Sequence, residues 1–103
     1  MDQIKEEILV KVRFLNTDEG GRKGPILVEL YKCMFGLGEE LFDCGLDLSN
    51  TGPIELGQKV IVPIKFLCPE LVKDRLKPGD KFYLREMDKV AEGEIISTSF
   101  SDS

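Results

Sequence analysis

The chain reads as all-β, a single closed antiparallel six-stranded β-barrel. Three observations lead there. Apolar residues recur at every second position in several short segments, which is the period of a half-buried strand. Clusters of Gly, Pro, Asn, Asp and Ser separate those segments at short intervals, and no segment makes a convincing long helix. Closure is expected because open strand edges, with their unpaired N–H and C=O groups, template aggregation.

The first strand runs from Ile8 to Phe14, with Ile8, Val10, Val12 and Phe14 on one face and Lys11 and Arg13 on the other. Gly20-Gly21 then allows positive φ angles and a tight reversal. A second extended segment follows, with Ile26, Val28 and Leu30 alternating against Leu27, Glu29 and Tyr31, so the sequence predicts a long-looped hairpin. Cys33 to Gly38 holds two glycines among apolar residues, which predicts a bend or bulge.

Glu40 to Leu48 alternates again, with Phe42, Cys44 and Leu46 on one face. Ser49 to Pro53 is a turn, and Ile54 to Leu56 is long enough only for a brief strand. Lys59 to Leu67 places Val60, Val62, Ile64 and Phe66 on one face. Pro63 lacks an N–H, so this strand is expected at an edge or with a bulge. Cys68 to Leu76 is a connection with room for one helical turn opened by Pro69. Lys77-Pro78-Gly79-Asp80 matches a type II turn. Lys81 to Glu86 is a strand, Met87 to Lys89 a tight reversal, and Val90 to Ser97 the last strand.

A chain of 103 residues is one domain, here with its core at about 7–97 and flexible ends at 1–6 and 98–103. Its net charge of −5 disfavours nucleic acid as the primary ligand, because phosphate binding draws on clustered Lys and Arg. Three cysteines at no repeating spacing, with no apolar leader, predict a reduced, cytoplasmic protein. No apolar run is long enough to cross a membrane as a helix.

The chain has no histidine, which excludes Ser–His and Cys–His nucleophile systems. Cys33, Cys44 and Cys68 form no CxxC pair, so no metal site is expected. Neither GxxxxGK[ST] nor GxGxxG occurs, so no nucleotide cofactor is expected either. The neighbouring carboxylates Glu39 with Glu40 and Asp43 with Asp47 read as a solvated face rather than an acid–base pair. The expectation is a protein that is not an enzyme.

Two segments carry a family resemblance. Asp18-Glu19-Gly20-Gly21-Arg22-Lys23-Gly24-Pro25 resembles the glutamate-glycine-glycine-arginine-histidine-x-proline loop that opens the C-terminal β-barrel domain of elongation factor Tu. Phe82-Tyr83-Leu84-Arg85-Glu86 is similar to that domain's phenylalanine-alanine-isoleucine-arginine-glutamate strand, and the likeness extends from about Ile8 to Ile96. In the family this barrel packs on a second barrel and a GTPase domain and helps hold the T-stem of aminoacyl-tRNA. Both neighbours are missing from this chain.

The departures bear on RNA. Lys23 stands where the family has histidine, and Met87 to Gly93 replaces a glycine-rich segment while adding Asp88 and Glu92, which repel phosphate. Between Lys32 and Gly52 the family's arginine- and threonine-bearing strand is also lost. The resemblance therefore implies a free-standing, non-catalytic module that binds a protein partner, linked to translation or to factors such as toxins or nucleases that engage elongation factor Tu. Candidate contact residues are Asp18, Glu19, Arg22 and Lys23 in the loop and Arg85 and Lys89 at the last turn. Arg85 and Glu86 also have a structural reading, pinning the strand or a neighbouring loop by ion pairing. The alternatives are a tRNA-binding module and a small-molecule enzyme using carboxylates.

Overall fold

The structure, a computed structural model, describes residues 8–20 and 24–98. Six strands close into an antiparallel barrel: β1 (Ile8–Phe14), β2 (Leu30–Leu37), β3 (Glu40–Asp47), β4 (Lys59–Phe66), β5 (Lys81–Arg85) and β6 (Lys89–Thr98). Around the barrel they follow the order β1-β4-β3-β2-β5-β6. The β2, β3 and β4 strands are sequential neighbours, and β1 lies beside β4 across a long connection, which is the Greek-key arrangement.

The inward faces of β1, β3 and β4 are those the alternation marks, whereas at the start of β2 Tyr31 is buried and Leu30 exposed, the reverse of the face shared with Ile26. Val12, Ile64 and Leu84 all lie in the buried cluster, with Phe14, Phe35 and Leu46 among the largest side chains in it. Phe35 stacks on Phe82 with ring centroids 4.6 Å apart and meets Phe66 edge-on at 5.1 Å. Both ends of the barrel are stoppered. Ile26 and Ile54, joined by an isolated bridge, are buried with Leu48 and Leu15 at one end, and Val72 and Leu76 are buried in the connection at the other.

Three sequence expectations fail here. β1 does not form a hairpin with the following segment: it pairs with β4 and β6, and residues 26–29 contribute the Ile26–Ile54 bridge and a Glu29 carbonyl that accepts from Leu48 N–H at 2.7 Å before β2 begins at Leu30. Alternation reports that a segment is extended and says nothing about which strand it meets. Cys33 to Gly38 is neither bend nor bulge but lies mostly within β2, which ends at Leu37. Gly36 serves packing, because a Cβ there would stand 2.1 Å from the Tyr83 ring.

Pro63 is the third. β4 lies between β1 and β3, not at an edge, and Pro63 sits opposite Leu9 in regular register. The ladder with β3 ends at Leu46–Ile64, one residue short of Pro63, so the missing donor falls where that ladder has already stopped. The two register shifts lie elsewhere, at Leu9/Val10 and Leu84/Arg85.

The remaining turns follow their residues. Gly79 takes φ +94° and Asp80 N–H donates to Lys77 carbonyl at 3.1 Å, as a type II turn requires. A 3₁₀ turn, Pro69–Leu71, interrupts the connection after β4. The expected flexible end from 98 onward begins too early, since Thr98 pairs with Ile8 at the end of β6. Residues 1–6 and 99–103 lie outside the described residues.

Candidate functional site

In an antiparallel barrel successive connections alternate between the two ends. The connections 15–29, 48–58 and 86–88 therefore gather at one end, and 38–39 and 67–80 at the other. This sorting brings the loop holding Asp18 and Glu19 to the same end as the turn between Arg85 and Lys89. Leu15 N–H donates to Val90 carbonyl at 2.9 Å and seals the two together.

Asp18 and Glu19 lie on a single 3₁₀ turn, Thr17–Glu19, closed by Gly20 at φ +89°. Glu19 accepts from Asn16 N–H at 2.8 Å, which fixes the start of the turn. It also accepts both guanidinium nitrogens of Arg13, at 3.2 and 3.1 Å, the paired geometry that makes arginine–carboxylate contacts directional. Arg13, bound first of all by Glu19, has its pKa raised, and Glu19 is held below the usual carboxylate range by Arg13 and then by Asn16 N–H.

Arg13 reaches further. Its guanidinium lies 3.8 Å from Glu92, and Glu92 pairs with Lys89 at 3.0 Å. Glu92 too is held below the usual range, chiefly by Lys89. The result is a chain of alternating charge, Glu19–Arg13–Glu92–Lys89, running from the loop to the last turn. It is exposed, so its worth to stability is small, but it sets the positions of two connections relative to each other.

The strand registers continue this chain around the outside of the barrel. Gly36, Tyr83, Glu92, Arg13 and Lys59 occupy one row across β2, β5, β6, β1 and β4. Lys81, Glu94, Lys11 and Ile61 occupy the next, with Lys81 3.5 Å from Glu94. Gly36 carries no side chain, and a groove of about 720 Å³ runs along these rows, lined by five cationic side chains and two carboxylates among the described residues.

Of the six residues expected at the site, Asp18, Glu19, Arg85 and Lys89 stand at one end of the barrel. Arg22 and Lys23 lie outside the described residues. Arg85 makes no ion pair among the described residues, so it does not pin its strand in the way expected. Glu86 does anchor the turn, accepting the Tyr31 hydroxyl and donating its own N–H to Asp88 carbonyl at 3.0 Å.

Sequence reasoning left out Arg13, Glu92 and Tyr83, and it marked the turn from Arg85 to Lys89 without singling out Met87. The outward position of Arg13 was legible from its alternation, but the partner it meets depends on β6 register. Met87, at the crown of the turn between Arg85 and Lys89, is 86% exposed.

Glu39, Glu40 and Asp43 are exposed, and Asp47 is held below the usual range by Ser49, whose hydroxyl lies 2.7 Å away. None of these forms the close, buried carboxylate pair that acid–base work calls for. Among the described residues no three Cys, Asp or Glu side chains converge to hold a metal ion, and no helix is long and apolar enough to cross a membrane. No family model and no curated protein matches the chain.

Proposed function

We propose that this is a non-catalytic binding module that engages a protein partner through the barrel end carrying Asp18, Glu19 and the 85–89 turn. We infer further that its residue likeness to the C-terminal barrel of elongation factor Tu reflects a link to translation, or to factors that engage that elongation factor. The observation that carries the reading is Met87: a large apolar side chain, 86% exposed, flanked by Arg85, Asp88 and Lys89 on a turn tied to its neighbouring loop by the Glu19–Arg13–Glu92–Lys89 chain.

An apolar anchor inside a charged rim, on pre-positioned loops, suits a protein surface. Asp18, Glu19, Asp88 and Glu92 at the same end act against phosphate. The core supports a module without an internal ligand, because side chains fill the barrel and buried apolar residues stopper both ends. A cytoplasmic location belongs to the same reading and is supported by three free cysteines.

The test is capture from the native cell with the wild-type chain and with Met87→Asp, followed by hydrogen exchange of the purified pair. The expected result is protection over residues 16–19 and 85–89 and at least tenfold weaker binding by the variant, with unchanged melting. Equal binding by Met87→Asp, with protection confined to other strands, would sink the proposal.

One observation favours a second reading, RNA binding: the outer groove collects five cations around Tyr83, an aromatic on which a base can stack. Titration with tRNA at two salt concentrations separates the two. Tight binding that falls steeply with salt supports RNA.

A further inference from the structure

Two thiols meet on the β2–β3 ladder, beside the short β2–β5 ladder. Cys33 on β2 and Cys44 on β3 are directly opposed in register, and their Sγ atoms lie 3.7 Å apart. Directly opposed residues in an antiparallel ladder have Cα atoms about 4.5–5.5 Å apart. That range falls inside the roughly 4.4–6.8 Å that a disulfide spans, so closing this bond requires a side-chain rotation and no strand movement.

Access comes from the neighbouring ladder. β5 pairs with β2 only from Gly36 to Met34, where Arg85 is the last partner, and Cys33 is the next residue beyond. Cys33 is accordingly half-buried while Cys44 is buried. Both thiols line a second groove, of about 650 Å³, whose wall also carries Lys32, Lys65 and Arg85 and the carboxylates of Asp43 and Glu86. Lys32 and Arg85 make no ion pair among the described residues, and Lys65 stands 3.9 Å from Asp47. The three cations outnumber the two carboxylates, and that small positive balance attracts an anionic reagent.

The geometry points to Cys33 and Cys44 as a redox-active dithiol that closes to an intramolecular disulfide by exchange with a small anionic disulfide. Cys33, the accessible thiol, attacks one sulfur of the external disulfide, forms a mixed disulfide and releases one equivalent of small thiol. Cys44 then attacks Cys33 Sγ, forms the Cys33–Cys44 bond and releases the second equivalent. Each protein thiol proton leaves on a released small thiol, and the two electrons pass to the external disulfide, which is reduced.

The hydrogen bond with Cys33, and after it burial, holds the Cys44 thiol far above the ordinary cysteine range. The mixed disulfide removes the Cys33 thiol from that hydrogen bond, so the second step begins from a less protected Cys44. The order of events, Cys33 first and Cys44 second, follows from their exposure.

The experiment uses Cys68→Ser, which removes an exposed thiol outside the pair, and oxidised glutathione as the probe. Intact mass is expected to fall by two hydrogens with both thiols lost to alkylation, and dithiothreitol to restore them. In the wild-type chain, peptide mapping is expected to find the Cys33–Cys44 link, with glutathione on Cys68 alone. Two alkylatable thiols persisting in folded Cys68→Ser, while its urea-unfolded chain closes the disulfide, would overturn the assignment. So would a lasting glutathione adduct on Cys33 without closure.

Discussion

Gly36→Ala tests the packing that shapes the outer groove. Gly36 lies outside the left-handed region, so its backbone accepts any residue. What forbids a side chain is Tyr83, three of whose ring carbons would stand 2.1 to 2.5 Å from the new Cβ. The ring must turn away, and its hydroxyl then loses the bond it donates to Gly38 carbonyl at 3.0 Å.

Displacing the ring from its rotamer costs about 0.5–1.5 kcal/mol. Losing the hydrogen bond costs about as much again. Alanine returns about 0.5–1 kcal/mol over glycine in a strand interior. The net expectation is a loss of about 1 kcal/mol, which is roughly 4–8 °C in melting temperature for a domain of this size.

The sign should reverse when the obstacle is removed. In a Tyr83→Ala background, Gly36→Ala is expected to stabilise by about 0.5–1 kcal/mol, a coupling of about 2 kcal/mol between the two positions. Urea denaturation of the four proteins in the cycle reads this directly. A Gly36→Ala chain as stable as wild type, or one with the same penalty in both backgrounds, would refute the account of Tyr83 as the cause.

Two further outcomes follow from the core and the charge chain. Phe35→Ala removes a fully buried ring packed between Phe66 and Phe82 and is expected to cost about 3–5 kcal/mol in denaturant unfolding; a loss under 1 kcal/mol would show that the rings do not interlock. Glu19 is held below its ordinary value of 4.5 by Arg13 and Asn16 N–H, so the stability it contributes is present above that value and is lost as pH falls through its lower folded pKa. An NMR titration should find its midpoint below 4.5 and find that midpoint raised in Arg13→Ala, and an unmoved midpoint would remove Arg13 from the chain.

The inward faces of β1, β3 and β4 were legible residue by residue, because a strand with one side in a core must alternate, and Val12 and Ile64 declare their side locally. So was the turn at Lys77 to Asp80, whose proline and glycine prefer its two central conformations without reference to the rest of the chain. The β1–β2 hairpin was misread for the complementary reason. Ile26 to Tyr31 alternates too, yet Ile26 meets Ile54 and Tyr31 belongs to β2, and only closure of the ladder decides that.

The site divides in the same way. Asp18, Glu19, Arg85 and Lys89 were identifiable as residues of loops and turns, but their meeting at one end comes from the alternation of connections in an antiparallel barrel. The Glu19–Arg13–Glu92–Lys89 chain depends on β1 and β6 register, set by burial of the opposite faces of those strands. Cys33 and Cys44 are eleven residues apart in sequence and gave no spacing signal; their sulfurs approach because the 38–39 turn folds β2 onto β3 in one register. Sidedness is a local property of an extended chain and was determined by the sequence alone, whereas partner and register are properties of the closed sheet and were decided only by the tertiary structure.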